Sequence, residues 1–282
     1  MRSHPPTLIT IVRRTLDEEC GPLRGERILV AVSGGPDSMA LLHVLAKAAE
    51  RGGFGILAHG VDHGLRSEAR RELDVAADFA ERCGVQFSRS ALRVPQGGNL
   101  QARARAARYA ALRDVARREQ AHLIATAHHA DDRAETVLLR LLRGTSRRGL
   151  AVLPPRSGDL IRPFARARRA DIVAHNARHG VPSTQDPSNE DLRFLRVRVR
   201  RQLMPLLSEL SPQIVSNLTA LADEEGEAVP VVVDEAGALV ALNRAQLGEL
   251  RRARRVGARE RVLRVTGGRE LRVDLSTGRA RS

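Results

Sequence analysis

The sequence predicts an α/β fold: a doubly wound parallel sheet, followed by a helical extension and a small C-terminal region. Up to Arg143, short β-branched or apolar runs alternate with segments of helical apolar spacing, a pattern typical of parallel strands joined by crossover helices. Such crossovers are right-handed, which places helices on both faces of the sheet. The alternation stops at Pro154-Pro155, and mainly helical segments follow.

In chain order, the predicted helices of the first part cover residues 7–20, 38–51, 67–82, 99–118 and 131–143, and the predicted strands cover 28–32, 54–58, 85–92 and 122–127. The boundaries rest on local signals. Asn99 is a helix N-cap residue, and Gly84 follows the end of a helix. The strand at 28–32 leads directly into a glycine turn.

The rest of the chain contains two further predicted helices, at 168–180 and 193–209, joined by the polar loop Thr184 to Asp191. A boundary near residue 212 completes the division into 1–154, 155–212 and 213–282. The last part contains an acidic stretch at 223–227, a short β-rich piece at 229–233 and a basic run at 251–255. Nothing in it indicates chemistry.

The composition indicates a polyanionic partner. The net charge is +14, from 47 basic and 33 acidic residues, and Lys47 is the single lysine. Aromatic residues make up only 2%, so arginine–phosphate contacts rather than base stacking would dominate binding to a nucleic acid. No apolar run is long enough for a membrane span. Cys20 and Cys83 form no CxxC pair, which excludes a zinc knuckle and favours reduced thiols in the cytoplasm.

The strongest motif is a phosphate-binding loop after the first strand. Two glycines allow a close backbone approach, and the turn opens a helix whose free N–H groups face an anion. Asp37 would repel phosphate unless Mg²⁺ bridges the two, so we expect Asp37 to hold Mg²⁺. The loop lacks the lysine of the GxxxxGK[ST] motif. Its residues are Ser33, Gly34, Gly35, Pro36, Asp37 and Ser38.

Two more polar segments follow strands, at 59–66 and 127–136. Ligands of a doubly wound sheet bind beyond the carboxyl ends of its strands, so both segments are expected in the crevice of the phosphate loop. Asp131 and Glu135 are four residues apart and are expected to share a helix face. Simple helix capping, or metal binding by the histidines, are the alternative interpretations.

The string SGGPDS resembles the signature of the PP-loop ATP pyrophosphatases. With HGVDHGLR, AHHADD..ET, LLRG, IRPF, DPSN and an arginine-rich helix, the order and spacing are similar to the tRNA(Ile)-lysidine synthetase family over about residues 26–212. The tRNA thiolases share the loop but carry CxxC pairs. Longer members have an additional C-terminal domain, and this chain resembles the shorter forms.

The resemblance implies a ligase that splits ATP into AMP and pyrophosphate. It would join free L-lysine to C2 of the wobble cytidine of tRNA(Ile) with a CAU anticodon, using ATP and Mg²⁺. Implied ATP contacts are residues 33–38, His59, Asp62 and Arg143. Implied catalytic residues are Asp37, Asp131, Asp132, Glu135 and His128. Implied tRNA contacts are Arg105, Arg108, Arg196, Arg198 and Arg200, although an arginine-rich helix can also be an ordinary solvated face.

Three positions depart from the family pattern: Gln101 replaces a usual Glu, Arg133 a usual Gln, and Val197 a usual Asn. The loss of charge at Gln101 puts a catalytic or Mg²⁺ role of that position in doubt. Two rival interpretations therefore stay open: another PP-loop tRNA-modifying enzyme of the thiolase kind, and an RNA-binding protein whose catalysis has decayed. The sequence does not fix the oligomeric state, and a homodimer stays open.

Overall fold

A computed structural model describes residues 6–62, 69–92, 100–184, 192–226, 244–255, 258–264, 270–277 and 279–281, with the single residues 232, 234, 240 and 242.

The centre of the protein is a six-stranded sheet in the order β3-β2-β1-β4-β6-β5. Its strands are β1 (Arg27–Val32), β2 (Gly55–Asp62), β3 (Phe87–Ala91), β4 (Leu123–Ala125), β5 (Arg156–Ser157) and β6 (Leu160–Ile161). All neighbours are parallel except β5, which pairs antiparallel with β6. The predicted fold class is confirmed. The β5–β6 hairpin was not predicted, because two-residue strands carry no readable periodicity.

Helices cover both faces of this sheet. They are α1 (Leu8–Glu19), α2 (Pro36–Gly52), α3 (Ala69–Arg82), α4 (Leu100–Arg118), α5 (Ala130–Leu142) and α6 (Arg169–His179). On one face, Leu112 of α4 packs with Leu29 and Ile124 of the strands. The other face carries α1, α2, α3 and α6 in a larger core. Each predicted helix of this part is present within a few residues of its predicted bounds.

Helix α5 has its own core with the extension that follows the sheet. The extension contains a 3₁₀ turn (Arg147–Leu150), α7 (Leu195–Arg198), a π-helical turn (Val199–Leu203), α8 (Met204–Leu210) and α9 (Ile214–Gly226). The helix predicted at 193–209 is thus three successive segments, consistent with Pro205, which has no N–H to donate to the carbonyl of Arg201.

Helix α9 begins after the predicted boundary at residue 212, yet Val215 and Leu218 pack with Val137 of α5 in one core. The division of the chain into three parts therefore stays a prediction, with the second core extending past its second boundary.

The C-terminal part contains α10 (Arg244–Arg255) and an antiparallel sheet of β7 (Glu260–Arg264), β8 (Glu270–Asp274) and β9 (Ala280–Arg281). Leu250 of α10 packs on Leu263 and Val273 of this sheet. The predicted basic run forms the end of α10, and most of the predicted β-rich piece at 229–233 lies outside the described residues. Within the described ranges, no helix has the length and apolar character needed to cross a bilayer.

Candidate active site

The phosphate loop connects β1 to α2 at the carboxyl end of the sheet. Gly34 has φ +81°, and a Cβ there would lie 2.7 Å from the Glu72 carbonyl oxygen, so only glycine fits. Gly35 is the N-cap of α2 and Pro36 follows within its first turn. The N–H groups of that first turn have no intrahelical acceptor and carry the positive end of the helix dipole. The loop therefore leads into a helix start with free N–H groups, and its binding of an anion stays a prediction.

Ser38 shapes the loop from within. Its buried hydroxyl accepts the Ser33 N–H at 3.1 Å and donates to the Gly35 carbonyl at 3.0 Å. The Ser33 hydroxyl lies 3.2 Å from it. Ser38 was predicted as a direct ligand donor, but the structure uses its hydroxyl to close the turn.

Two residues of the α6 region also hold the loop, and sequence reasoning did not find them. The Thr184 N–H and hydroxyl donate to the Gly34 carbonyl at 3.1 and 3.2 Å, and Asn176 Nδ2 donates to the Pro36 carbonyl at 3.0 Å. These contacts span about 140 to 150 positions in the chain, so no local pattern could reveal them.

The N-terminus of α5 faces the phosphate loop and is closed by a capping box. The buried ring of His129 accepts the Asp132 N–H through Nδ1 at 3.3 Å, and Asp132 Oδ2 accepts the His129 N–H at 3.2 Å. Because Nδ1 accepts here, a neutral His129 has its proton on Nε2. That nitrogen lies 3.5 Å from Asp132 and 3.9 Å from Asp37.

His129 was not among the predicted catalytic residues. It nevertheless joins the acidic cluster, which consists of Asp131, Asp132 and Glu135 of α5, to the phosphate loop. Burial lowers its pKa, but Asp131, Asp132 and Asp37 together reverse this, so its pKa is raised above the ordinary value. Burial raises the pKa of the Asp37 carboxyl, against the opposing charge of His129. The signal for His129 was its position directly before the acidic helix start, where N-caps lie.

Asp131 and Glu135 lie four residues apart on α5 but bind different partners. Asp131 accepts the Arg169 N–H at 2.8 Å and pairs with Arg168, so it joins α5 to the start of α6. Burial alone would raise the pKa of Asp131, but these donors and His129 hold it below the ordinary value. Asp131 therefore links the start of α5 to the start of α6.

The carboxylates of Asp132 and Glu135 bind two arginines. Arg200 donates to both oxygens of Glu135, at 2.6 and 3.0 Å, and to Asp132 at 3.1 Å. Arg196 lies 3.3 Å from Asp132 and 3.5 Å from Glu135. Both arginines were predicted to lie on a helix face that contacts tRNA. The structure instead pairs them with the predicted catalytic carboxylates.

His59 of β2 is buried beside the neighbouring strand β3 rather than open to the crevice. Its two ring nitrogens lie 2.7 and 3.0 Å from the hydroxyls of Ser88 and Ser90. Burial lowers its pKa to about 4, so the ring is neutral at pH 7. Asp62 ends β2, with Arg70 at 3.8 Å from its carboxylate, and residues 63–66 of the same motif lie outside the described residues.

His128 lies close enough to Asp132 of α5 and Arg105 of α4 for their charges to act on its ring. Its Nδ1 is 3.0 Å from the Thr126 hydroxyl. Burial lowers its pKa well below the ordinary value, Asp132 opposes this, and the positive charges of Arg105 and Arg162 lower it further. His128 is therefore a neutral imidazole at pH 7, and its lowered pKa makes it a weak base in this structure.

The remaining predicted arginines lie at three places. Arg105 and Arg108 flank the Tyr109 ring, 5.1 and 5.6 Å from its centre, on the α4 side of His128. Arg198 is exposed and donates to Gln202. Arg143 is the C-cap of the 13-residue helix α5, about 20 Å along the helix from its acidic N-terminus. Its contact with ATP stays a prediction, and it would have to involve a part of ATP distant from the N-terminus of α5.

The chain resembles known proteins over most of its length. The PP-loop domain family matches residues 8–207. A tRNA(Ile)-lysidine synthase of Thermobifida fusca is 36% identical over 278 residues, covering 94% of this chain and 85% of that protein. The chain belongs to the tRNA(Ile)-lysidine synthase family of PP-loop proteins.

Other family members are longer. The Novosphingobium aromaticivorans synthase is 40% identical over 71% of this chain and 62% of its own length. The Symbiobacterium thermophilum synthase is 40% identical over 71% of this chain and 43% of its own length. The chain thus spans about half of the length of several relatives that it matches. A U34-tRNA thiolase from Methanococcus maripaludis has the same fold, with a TM-score of 0.66, 18% identity and 77% coverage of each chain.

The departure from the lysidine synthase pattern at Arg133 has a structural explanation. Arg133 is 1% exposed, pairs with Asp223 of α9 at 2.7 Å and donates to the Val152 carbonyl. Arg166 pairs with the same Asp223 and with Glu19 of α1. Arg133 therefore ties α5 into an ion-pair network with α9 and α1.

The other two departures lie on helices α7 and α4. Val197 is half-buried in α7. Gln101 lies in the first turn of α4, and its side chain is outside the described residues.

Proposed function

We propose that this chain is a tRNA(Ile)-lysidine synthase, a ligase that splits ATP at the α-phosphate and joins L-lysine to C2 of the wobble cytidine. One observation carries the proposal: the loop carboxylate of Asp37 and the acidic start of α5 meet through His129, whose Nε2 lies 3.9 Å from Asp37 and 3.5 Å from Asp132. Phosphate donors and carboxylates thus lie together in one crevice.

The phosphate loop would bind the pyrophosphate half of ATP through the N–H groups that begin α2. Asp37, with a side chain 32% exposed, would hold Mg²⁺ together with the phosphates. The described residues contain no cluster of three His, Cys, Asp or Glu side chains able to hold a metal unaided. That fits Mg²⁺, which usually takes one or two carboxylates plus substrate oxygens and would neutralise developing phosphate charge.

The lysine amine needs a carboxylate to orient it and a base to accept its proton, because its free pKa is about 10.4. Asp132 and Glu135 can orient the ammonium, provided that Arg196 and Arg200 share or release them. We propose His128, near Asp132 and the α4 arginines, as the acceptor, which requires the bound substrates to raise its pKa from the low value that burial sets.

Transfer RNA would approach over α4 and α7. Arg105 and Arg198 are exposed there, and the net charge of +14 favours a polyanion. The wobble base lies in an unpaired loop and can be inserted into the crevice without breaking a duplex. A tRNA substrate and two free thiols are in keeping with a reaction in the cytoplasm, which we propose as its location.

The proposal is tested by incubating the protein with ATP, radiolabelled L-lysine and tRNA(Ile) carrying the CAU anticodon. We expect acid-stable label in the RNA, dependent on ATP, and none with tRNA(Met). Label-free RNA together with sulfur incorporation would instead support the thiolase alternative. Neither lysine nor sulfur incorporation, with intact tRNA binding, would support the decayed RNA-binding protein.

A further inference from the structure

We propose that Thr184 and Asn176 are positioning residues for the phosphate loop, holding two loop carbonyls away from the ligand so that the following N–H groups face the pyrophosphate part of ATP. This rests on the ATP site of the proposed function and assigns a role to residues outside the recognised motifs. The contacts are three hydrogen bonds of 3.0 to 3.2 Å, from Thr184 to Gly34 and from Asn176 to Pro36.

The geometry of the peptide unit connects these bonds to ligand binding. In a planar trans peptide, the carbonyl of one residue and the N–H of the next point in opposite directions. Fixing the Gly34 carbonyl toward Thr184 therefore turns the Gly35 N–H toward the opposite side. The Asn176 bond to the Pro36 carbonyl orients the Asp37 N–H in the same way.

The peptide unit that joins Gly35 to Pro36 lies between the two peptide units just described, and it is held differently. The Gly35 carbonyl accepts from Ser38 of the loop itself, and the next residue, Pro36, has no N–H to present. The two contacts from the α6 region thus act on peptides that carry a donor. Gly34, with its positive φ, is also the loop residue that has most conformational freedom to lose.

Helix α6 is held at its start and along its middle, which makes it a rigid support. Asp131 accepts the Arg169 N–H at its start. Farther along, His175 Nε2 lies 2.9 Å from His43 Nδ1 of α2, and Ile172 is fully buried in the main core. Since α2 begins with the phosphate loop, α6 and the loop hold a fixed relative position.

Thr184→Val and Asn176→Ala, singly and together, test the proposal. Affinities for ATP, inorganic pyrophosphate and AMP are measured by calorimetry, and thermal unfolding is followed in parallel. Each loss of a neutral hydrogen bond should weaken ATP and pyrophosphate binding about three- to tenfold. AMP binding should stay unchanged because AMP lacks the pyrophosphate group. Thr184→Ser should restore ATP affinity, and Val173→Ala, on the exposed face of α6, is the matched control.

Equal ATP affinity in wild type and in Thr184→Val and Asn176→Ala would overturn the proposal, as would an equal loss for AMP and ATP. If Asn176→Ala fails to fold, the Thr184→Val and Thr184→Ser pair decides. A wild type that binds ATP but forms no lysidine would contradict the proposed function while leaving the positioning role intact.

Discussion

At the scale of single residues, Arg133 shows how a charged side chain can be buried inside a protein core. Its partner Asp223 is shared with Arg166, so the ion pair belongs to a network between α5, α9 and α1. Removing one partner of a buried pair costs more than the pair contributes, because the other charge stays buried.

We predict that Arg133→Gln lowers the free energy of unfolding by about 3 kcal/mol, since Asp223 would lose one of its two cations. Arg133→Gln combined with Asp223→Asn should lose less than the sum of the single changes. Urea unfolding of the two single variants and the double variant measures this. Additive losses would mean that the two side chains act independently.

For the single residue Asp37, we predict that the negative charge of its side chain promotes ATP turnover and does not stabilise the fold. Burial raises the pKa of its carboxyl, so the folded state disfavours the charged form. Asp37→Asn should keep or raise the melting temperature and lower ATP turnover by about 100-fold or more. Wild-type ATP turnover by Asp37→Asn would show that Asp37 does not act in the site.

At the scale of elements, buried histidines join neighbouring strands and helices and make the fold sensitive to acid. His59 links β2 to β3, and His175 links α6 to α2. Burial is the main cause that lowers the pKa of each to about 4. The unfolded chain, with an ordinary histidine pKa near 6.5, therefore binds more protons between these values.

We predict that stability is lost as the pH falls from about 6.5 toward 4, by about 2 kcal/mol for each of these histidines at pH 5 relative to pH 7.5. Urea unfolding at the two pH values measures the change. His59→Gln should remove part of the pH dependence. Unchanged pH dependence in this variant would show that His59 does not contribute.

Helix α7 and the π-helical turn form an arginine-rich segment. Its arginines look alike in the sequence but have different partners in the structure. Arg200 is bidentate on Glu135, whereas Arg198 is exposed and bonded only to Gln202 among the contacts described. We predict that Arg198→Gln weakens tRNA binding and flattens the slope of log K against log salt by somewhat less than one unit. Arg200→Gln should impair lysine transfer with a smaller change in that slope.

Measured slopes that change more for Arg200→Gln than for Arg198→Gln would instead support the prediction from sequence, in which Arg196 and Arg200 contact RNA phosphates.

The elements that could be predicted from the sequence are those set by local patterns. Strand β1, the glycine turn and α2 follow from apolar spacing and from the conformational freedom of Gly34. The contacts of Thr184, Asn176 and Arg200 join segments 65 to 150 positions apart. Such side-chain pairings depend on how the elements pack, which no periodicity or motif spacing encodes.

At the scale of the whole molecule, the fold places a phosphate loop and an acidic helix start at the carboxyl edge of one sheet. Two short elements at that edge, the loop 33–38 and the start of α5, come from separate crossover units. The whole chain has a net charge of +14, and the carboxylates at this edge of the sheet are paired with arginines. This arrangement suits a reaction in which RNA, ATP and a cationic amino acid must meet.

The products formed from ATP labelled at the α-phosphate test the central claim most directly. The wild-type protein, given tRNA(Ile), lysine and Mg²⁺, should form labelled AMP, with little AMP when the tRNA is omitted. Asp37→Asn should form almost none. Labelled ADP as the main product would mean that the γ-phosphate is attacked, and would contradict adenylation of the tRNA base in this crevice.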